Sequence, residues 1–364
     1  MADHKLSSSC FALIMSGGRG ERFWPLSTPE KPKPFLKLFN GKSLIQLTIA
    51  RLKKIFPAES IFLILSKEHY AIACKQIKDI PRNNFIVEPC GRDTAPCATY
   101  ASFIISKSHP DPDIIVFPSD HYIQNDNEFF LCIQSAFSIA SRKKAIITFG
   151  IQPARPDTNY GYIEIGEKIT TTYDKDYYEV KCFKEKPDAQ LALHYLAKGN
   201  HYWNSGIFVW KYSTLKHFIH LHAPEINTVL NSLEDKWGSK NYNNFLEKKY
   251  LEFPSISIDY GIMEKAKPIF MIPATFKWDD IGTWSSLFRI YEGDANHNIT
   301  FGKADIHDSQ NCIFFCEKAR IIALGLKDLI FVKHKNNILV SHKDHVQELK
   351  KYLKHKKANP KQLK

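Results

Sequence analysis

The stretch MSGGRGERFWPLSTPEKPKPFL, residues 15–36, is the strongest indication of fold and chemistry in this chain. It follows the apolar run Phe11–Met15, so a buried strand is predicted to lead directly into a glycine-rich turn. Backbone amides of a turn in that position can point at a phosphate chain. We therefore predict that Gly17, Gly18 and Gly20 bind a nucleotide through its phosphates.

The glycine spacing excludes the familiar phosphate-binding loops. A dinucleotide-binding or kinase loop that started at Gly18 would require a glycine at position 23, which is Phe23. A Walker A motif that ended in the GKS of 41–43 would require a glycine at position 36, which is Leu36. The stretch is therefore predicted to hold phosphate through a different arrangement of residues.

Two cations follow the glycines. Arg22 comes two residues after Gly20, and Lys33 stands between Pro32 and Pro34, whose rings restrict the backbone on both sides. A rigidly held ammonium group beside a phosphate-binding turn can stabilise charge on a transferring phosphoryl group. We therefore predict catalytic roles for Arg22 and Lys33.

The chain is predicted to form an α/β catalytic domain at 1–294 and a small β domain at 295–364. Apolar runs in the first 150 residues alternate with helical patterns, which is typical of a Rossmann-like, mostly parallel sheet covered on both faces. From about residue 160 the runs are typical of antiparallel strands, and short strands and turns fill 299–341. The strands of the first part are predicted at 11–15, 61–65, 84–88, 113–118 and 145–150.

Composition and charge exclude several classes of protein. The chain has 364 residues, of which 44% are hydrophobic and 24% charged, a globular composition. No apolar run approaches the roughly 20 residues of a membrane span, and the first residues lack the features of a secretory signal. We therefore predict a cytoplasmic protein with no membrane partner.

The net charge of +12 is unevenly distributed. Residues 343–364 contain eight lysines and two acidic residues, so this tail holds about half of the excess. We interpret the tail as a terminal helix with a solvated lysine face. No nucleic-acid partner is therefore expected, and a groove for phosphorylated small molecules would account for part of the remaining charge.

Two carboxylates have positions suited to a metal ion. Asp120 comes two residues after the predicted strand 113–118, and Asp280 follows a second strand-like run. In parallel sheets ligands bind beyond the carboxyl ends of the strands. Two such carboxylates can hold a Mg²⁺ ion that keeps several waters and bridges nucleotide phosphates.

Glu88 ends the predicted strand 84–88. A carboxylate there can accept hydrogen bonds from the N1–H and N2–H₂ groups of guanine, which lie side by side. The next residues open a helix, in which Arg92 and Thr94 are candidates for contacts with the base or the ribose, and Asp93 is a candidate N-cap.

Two further residues suit a sugar. Asn204 offers a neutral donor and acceptor for hydroxyl groups, and Gly161 leaves room for a sugar against the backbone. Four aromatic residues near these motifs are expected either to line a cleft or, for at least half of them, to pack in the core: Tyr160, Tyr162, Trp203 and Trp278.

Taken in order, these motifs resemble the sugar-1-phosphate nucleotidyltransferases. The resemblance begins in the glycine-rich stretch and continues through EPCGRDTAP (88–96), FPSDH (117–121), NYGYIE (159–164), FKEKP (183–187), WNSGIF (203–208), SIDYGIMEK (257–265) and WDDIGTW (278–284). The residues after 300 resemble the family's C-terminal β-helical domain. The resemblance implies the GT-A-like nucleotidyltransferase fold followed by that domain.

The resemblance also implies roles for individual residues. Asp120 and Asp280 match the family's Mg²⁺ ligands, and the family pattern D-x-G-[TS] favours Asp280 over the adjacent Asp279. Glu185 would accept hydrogen bonds from sugar hydroxyls, and Lys186 would bind the sugar phosphate.

Within the family, the chain is most similar to the branch that uses GTP and mannose 1-phosphate and releases GDP-mannose and diphosphate. This implies in-line attack of the sugar phosphate on the α-phosphorus of GTP. Two alternatives remain: another nucleotide or hexose 1-phosphate, or a non-catalytic, nucleotide-sugar-binding regulatory subunit. An exposed edge in the β domain also leads us to expect a homodimer.

Overall fold

The computed structural model describes residues 6–18, 20–172 and 174–358. Arg19 of the glycine-rich stretch and residues 359–364 of the basic tail therefore lie outside the described residues. The strands are β1 (Cys10–Ser16), β2 (Ile61–Ser66), β3 (Phe85–Glu88), β4 (Asp113–Pro118), β5 (Tyr122–Gln124), β6 (Ile146–Ile151), β7 (Tyr162–Ile169), β8 (Tyr177–Lys184), β9 (His201–Lys211), β10 (Ile269–Ala274), β11 (Lys277–Asp279), β12 (Ile299–His307), β13 (Ile313–Leu324), β14 (Leu329–His334) and β15 (Asn337–His342). The helices are α1 (Leu44–Leu52), α2 (Tyr70–Gln76), α3 (Thr94–Ser108), α4 (Asp126–Lys143), α5 (Ala189–Lys198), α6 (Tyr212–His222), α7 (Pro224–Lys236), α8 (Tyr242–Lys249) and α9 (Leu349–Ala358).

The chain divides into two compact units. The first unit contains the chain up to Gly17, together with Gln46–Ser119 and Ile123–Trp278. The second unit contains Gly18–Ile45, Asp120–Tyr122 and the chain from Asp279 onward. Most of the glycine-rich stretch thus belongs to the same unit as the C-terminal strands, and the predicted boundary at residue 294 stays a prediction.

The first unit is built around a nine-stranded sheet with the order β3-β2-β1-β4-β9-β6-β10-β8-β7. Strands β3, β2, β1 and β4 are parallel, β9 is antiparallel to β4 and β6, and β7 and β8 form an antiparallel pair. Ile14 of β1 aligns with Leu63 and Phe117 on the neighbouring strands β2 and β4, and all three are buried. Such strands are apolar throughout because both faces are covered. The predicted α/β architecture is confirmed.

Capping residues determine where the helices of this unit begin. The side chain of Asp93 accepts a hydrogen bond of 2.7 Å from the amide of Thr94, which confirms the predicted N-cap of α3. Asn125 caps α4 in the same way through the amide of Glu128. Helix α4 also carries acidic residues in its first turn and basic residues in its last, which suits the helix dipole.

The C-terminal part of the second unit is a four-stranded sheet with the order β12-β13-β14-β15. The first three strands are parallel, and β15 returns antiparallel to β14. Cys312, Phe314 and Ala323 form its small core. The short strands predicted over 299–341 are therefore confirmed, with helix α9 after them.

Trp284 joins the glycine-rich stretch to this sheet within the second unit. Its ring lies 5.2 Å from that of Phe23 and 5.5 Å from that of Phe315, measured between centroids. Its indole N–H donates a hydrogen bond of 3.1 Å to the carbonyl of Trp24. The stretch is thus anchored by aromatic packing.

Among the helices of the described residues, none is both long enough and apolar enough to cross a membrane.

Candidate active site

The close approach of Lys33 to Gly20 shapes the glycine-rich stretch. Gly20 has φ +58°, and a Cβ there would lie 2.5 Å from the Cβ of Lys33 and 2.6 Å from its backbone nitrogen. Lys33 begins the single-turn 3-10 helix Lys33–Phe35, preceded by Pro32 and followed by Pro34. The backbone of the lysine can therefore pack against the turn only because residue 20 is glycine.

The other two predicted phosphate-binding glycines have more space. Gly18 has φ +85°, and together with Gly20 it lines a cavity beside the glycine-rich stretch. Gly17 is exposed at the end of β1, and a Cβ on it would have no atom within 4 Å. Only Gly20 is therefore required by packing.

The ammonium group of Lys33 contacts both predicted metal ligands. Its Nζ lies 2.8 Å from Oδ2 of Asp120 and donates a hydrogen bond of 2.5 Å to the backbone carbonyl of Asp280. Lys33 is only 8% exposed, so little water screens these interactions. The structure thus brings together three residues that are far apart in the sequence.

Asp120 is held in its ionised form. Burial would raise the pKa of Asp120, but the Lys33 ammonium, His121 and a backbone hydrogen bond together outweigh this effect, and the pKa lies below its ordinary value. Burial also lowers the pKa of the neighbouring His121, against the opposing effect of Asp120. An ionised carboxylate is the ligand that Mg²⁺ prefers, whereas an imidazole nitrogen is not.

Asp279 and Asp280 have different surroundings although they are adjacent. Asp279 is buried, and its carboxylate accepts hydrogen bonds of 2.5 and 3.0 Å from Arg289 and of 2.8 Å from the amide of Ile281. Asp280 is half-buried, and its Oδ1 accepts a hydrogen bond of 3.1 Å from the amide of Gly282. Asp280 lines a cavity beside the glycine-rich stretch, whereas Asp279 supports the fold.

The side chains present fit a magnesium ion. Asp120 and the Asp280 carbonyl share one ammonium group, so the two aspartates are neighbours. In the part of the chain that the structure describes, no group of three or more His, Cys, Asp and Glu side chains is arranged for a metal. Mg²⁺ does not require one, because it is commonly held by one or two carboxylates together with water and substrate phosphates. The donor set therefore suits Mg²⁺ bound jointly with a nucleotide.

The glycine cavity, as we call this cavity beside the glycine-rich stretch, has a volume of about 450 Å³. Arg22, Lys33 and Asp280 line it with Gly18 and Gly20, as expected of a phosphate site. Its wall also contains two residues that sequence reasoning missed, namely Lys350 and Lys354 of α9. The lysine pattern of the tail predicts a solvated helix face, and no motif there indicates that these residues line a cavity.

Glu88, the predicted guanine acceptor, is buried at the end of β3 in the first unit. It is 5% exposed, and the hydroxyl of Tyr250 donates a hydrogen bond of 3.0 Å to its Oε2. Burial raises the pKa of Glu88 to about 7, and the bond from Tyr250 offsets only part of this. Its carboxyl group therefore titrates near neutral pH.

We expect Glu88→Gln to remove a pH dependence from the stability of the protein. The folded pKa of about 7 exceeds the ordinary 4.5, so the stability linked to this carboxyl is fully present below pH 4.5 and lost as the pH rises through 7. Glutamine stays neutral and can still accept the Tyr250 hydrogen bond. The unfolding free energy of wild type should fall from pH 5 to pH 8, whereas that of the variant should not. The difference, variant minus wild type, should therefore rise by on the order of 2 kcal/mol between these two pH values.

Urea unfolding at the two pH values measures this gain. Glu59→Gln, at an exposed position, serves as the control and should change little. An equal loss of stability in Glu88→Gln at both pH values would show that Glu88 is buried as a carboxylate instead.

The other predicted base-binding residues contact a segment near 251–258. Arg92 donates a hydrogen bond of 2.5 Å to the carbonyl of Leu251, and Oγ1 of Thr94 accepts one of 2.8 Å from the amide of Ile258. These bonds hold the start of α3 in place. Contact of either residue with a base or a ribose stays a prediction.

The four residues predicted to bind the sugar phosphate lie together in the first unit. A Cβ on Gly161 would overlap Oε2 of Glu185 and would lie 3.4 Å from the Cβ of Asn204. Glu185 forms an ion pair with Lys186. The backbone N–H of Asn204 donates a hydrogen bond of 2.8 Å to the carbonyl of Gly161.

Asp259 joins this group, although sequence reasoning assigned it no role. It starts the π-helical turn Asp259–Met263, and Nδ2 of Asn204 donates a hydrogen bond of 3.0 Å to its Oδ1. Burial, together with the negative charge of Glu185, raises the pKa of Asp259 to about 7, while Lys186 opposes the shift. The motif SIDYGIMEK contains Asp259, but nothing in its spacing indicated a contact with Asn204.

The four candidate cleft aromatics are all buried in the first unit. Tyr160 packs edge-on against Trp203 and Trp278, with centroid distances of 5.0 and 5.3 Å. Tyr162 is fully buried. Core packing, expected of at least half of these residues, therefore describes all four.

Comparisons with known proteins agree with the motifs. The nucleotidyl transferase family matches residues 11–297, and the MannoseP isomerase/GMP-like beta-helix domain matches residues 306–355. A Vibrio cholerae relative is 37% identical over 352 residues, which are 95% of this chain and 74% of that protein. An Escherichia coli mannose-1-phosphate guanylyltransferase is 33% identical over 355 residues, 96% of this chain and 76% of that protein.

The fold also matches a solved structure along nearly its whole length. A Thermus thermophilus crystal structure, described as a mannose-1-phosphate geranyltransferase, is 32% identical and superposes with a TM-score of 0.86. The match covers 96% of this chain and 99% of that one, which confirms the predicted catalytic fold with its C-terminal β domain. The chain therefore belongs to the nucleotidyl transferase family, and it shares a third of its residues, along almost its entire length, with relatives named mannose-1-phosphate guanylyltransferase.

Proposed function

We propose that the protein transfers GMP from GTP to α-D-mannose 1-phosphate, giving GDP-mannose and diphosphate. The observation that carries the proposal is the contact of the Lys33 ammonium with Asp120 and the Asp280 carbonyl, beside a glycine-lined cavity. This arrangement suits the charged phosphates of a nucleotide. The names of the curated relatives support the choice of GTP and mannose 1-phosphate.

The reaction requires no nucleophilic side chain. A phosphate oxygen of mannose 1-phosphate attacks the α-phosphorus of GTP, and the bond from that phosphorus to the β-phosphate oxygen breaks in line. The electron pair leaves with diphosphate. We assign Lys33 to the negative charge that develops at the α-phosphate, and Arg22 with the glycine amides to the β- and γ-phosphates.

Asp120 and Asp280 are proposed to hold Mg²⁺. When bound, the ion would neutralise phosphate charge and orient the phosphates of the nucleotide. Lys33 keeps Asp120 ionised and therefore ready to bind a cation. The hydrogen bond from Gly282 orients the carboxylate of Asp280.

Guanine recognition is assigned to Glu88, Arg92 and Thr94. Tyr250 donates a hydrogen bond to Glu88, and the carboxyl group of Glu88 titrates near neutral pH. Glu88 can therefore meet a ligand either as a carboxylic acid or as a carboxylate. A carboxylate favours the paired donors of guanine over an acceptor edge. Selection for GTP over ATP and UTP is the expected consequence.

The sugar phosphate is assigned to Gly161, Glu185, Lys186 and Asn204. Glu185 and Asn204 offer acceptors and a donor for hydroxyl groups, and Lys186 offers a cation for the phosphate. Because Asp259 accepts a hydrogen bond from Nδ2 of Asn204, it fixes the orientation of the Asn204 side-chain amide. Asp259 therefore acts as a positioning residue in this proposal.

Gly161→Ala should weaken the binding of the sugar phosphate. The new methyl group would displace the Glu185 carboxylate, which is the movable end of a side chain, so the fold should survive. A displaced binding group is expected to raise the KM for mannose 1-phosphate by about tenfold or more and to leave the KM for GTP unchanged. Steady-state kinetics with each substrate varied in turn would test this. Equal rises in both KM values would contradict the assignment.

Two alternatives to this function remain. The protein could use another nucleotide or hexose 1-phosphate, or it could bind a nucleotide sugar without catalysis. Arg22, Lys33, Asp120 and Asp280 are all present, which favours an active enzyme.

A grid of substrates separates the three functions. Diphosphate release is measured with Mg²⁺ for GTP, ATP, UTP and dTTP, each with mannose, glucose, galactose and fucose 1-phosphates. Release only with GTP and mannose 1-phosphate is the expected result. Release with another pair would transfer the proposal to that pair, and binding of nucleotide sugars without any release would favour the regulatory subunit.

A cytoplasmic location and a homodimer remain part of this proposal. Four apolar side chains on the C-terminal sheet are more than half exposed, which suits an interface with a second copy: Ile322, Leu324, Ile338 and Val340. Analytical ultracentrifugation would show whether the protein is a dimer.

A further inference from the structure

The cationic wall of the glycine cavity extends to the C-terminal helix. Lys350 and Lys354 are four residues apart on α9, so both project from the same face of the helix. Both line the cavity together with Arg22 and Lys33. Four cations from two separate segments, the glycine-rich stretch and α9, thus converge on one space within the second unit.

Helix α9 is packed in place. It contacts the single-turn helix Glu21–Phe23, which belongs to the glycine-rich stretch. Leu349, the first residue of α9, is buried, and so is Val346, three residues before it. The two lysines are therefore carried by an anchored helix. This lowers the entropy cost of ordering their side chains when a ligand binds.

The charges around α9 are unfavourable without an anion. The first turn of the helix contains Lys350 but no acidic residue, and Glu348, immediately before the helix, contacts His345 at 2.9 Å. The amino end of a helix disfavours cations. Lysines one turn apart also repel each other. The cavity lining contains two carboxylates, Glu21 and Asp280, and Lys33 is also paired with Asp120, so the four cations still exceed the three carboxylates. A bound polyanion would relieve the repulsion.

We propose that Lys350 and Lys354 bind the β- and γ-phosphates of GTP and hold the diphosphate as it leaves. When the bond between the α-phosphorus and the bridging oxygen breaks, the electron pair goes to diphosphate, and the two ammonium groups stabilise its added charge without a proton transfer. The identity of the nucleotide rests on the proposed function. The affinity of the cavity for a condensed phosphate does not.

The test compares Lys350→Gln/Lys354→Gln with a control of equal charge change, Lys351→Gln/Lys318→Gln. Lys351 is exposed on the same helix and Lys318 is exposed on β13, and neither lines the glycine cavity. Calorimetry with Mg²⁺ and inorganic diphosphate measures binding without any reaction. Steady-state kinetics with GTP and mannose 1-phosphate measures the effect on turnover.

The cavity-lining double variant should bind diphosphate about tenfold or more weakly and raise the KM for GTP by a similar factor. The control should match wild type, and the KM for mannose 1-phosphate should not change. If both double variants bind diphosphate as tightly as wild type does, or lose the same affinity, the inference is overturned while the proposed function stands. If wild type shows no turnover with GTP, and the cavity-lining variant alone loses affinity for diphosphate, the inference stands and the proposed function fails.

Discussion

Lys33→Ala is expected to lower kcat by about 10²–10³-fold, the loss typical when one fixed donor to a developing charge is removed. Lys33 is nearly buried, its backbone is fitted against Gly20, and its Nζ reaches both Asp120 and the carbonyl of Asp280. Alanine removes the ammonium group but preserves the backbone packing. The KM for GTP should change much less than kcat, because the lost interaction is strongest in the transition state.

The matched control for this variant is Lys37→Ala. Lys37 lies four residues later, is exposed, and should be replaceable without loss of activity. Circular dichroism and thermal unfolding would establish that Lys33→Ala is folded. A near-normal kcat in the folded variant would remove Lys33 from the catalytic group and with it the main observation behind the proposed function.

Asp280→Asn is expected to lower kcat by about two orders of magnitude or more, since one charged ligand of the proposed Mg²⁺ site is lost. Its backbone carbonyl would still accept the hydrogen bond from Lys33, and the asparagine oxygen could still accept the one from Gly282. The fold should therefore survive. A titration of activity with Mg²⁺ should show a higher half-saturating concentration than for wild type.

Asp279→Asn gives the opposite pattern and is the natural comparison. Asp279 is buried and accepts two hydrogen bonds from Arg289, whose side chain is 35% exposed, so loss of this charged pair should lower the unfolding free energy by about 1–2 kcal/mol. At a temperature where it is folded, this variant should retain its Mg²⁺ dependence. If instead Asp279→Asn abolished the Mg²⁺ response and Asp280→Asn did not, the metal ligand would have been assigned to the wrong aspartate.

Periodicity and apolar runs were sufficient to predict the parallel half of the sheet. The apolar run 113–118 predicts strand β4 at its observed bounds, and Asp93, a candidate N-cap by its position and side chain, does cap α3. The other half of the sheet was harder, because β9 inserts between β4 and β6, and such pairing depends on contacts between distant segments. Local patterns carry no information on this order.

The candidate site was predictable where residues occur in compact motifs. Gly20 and Lys33 lie in one stretch, and Asp120 follows a strand whose end could be predicted. Asp259, Lys350 and Lys354 could not be found in this way. Asp259 reaches Asn204 through a π-helical turn, and the two lysines reach the glycine cavity only because α9 packs on the residues beside it.

The most direct test of the central claim is to incubate the purified protein with Mg²⁺, GTP and α-D-mannose 1-phosphate and to quantify both products by chromatography and mass spectrometry. The account predicts GDP-mannose and diphosphate in equal amounts, with none formed when either substrate is omitted. Folded protein that forms no GDP-mannose under these conditions would contradict it.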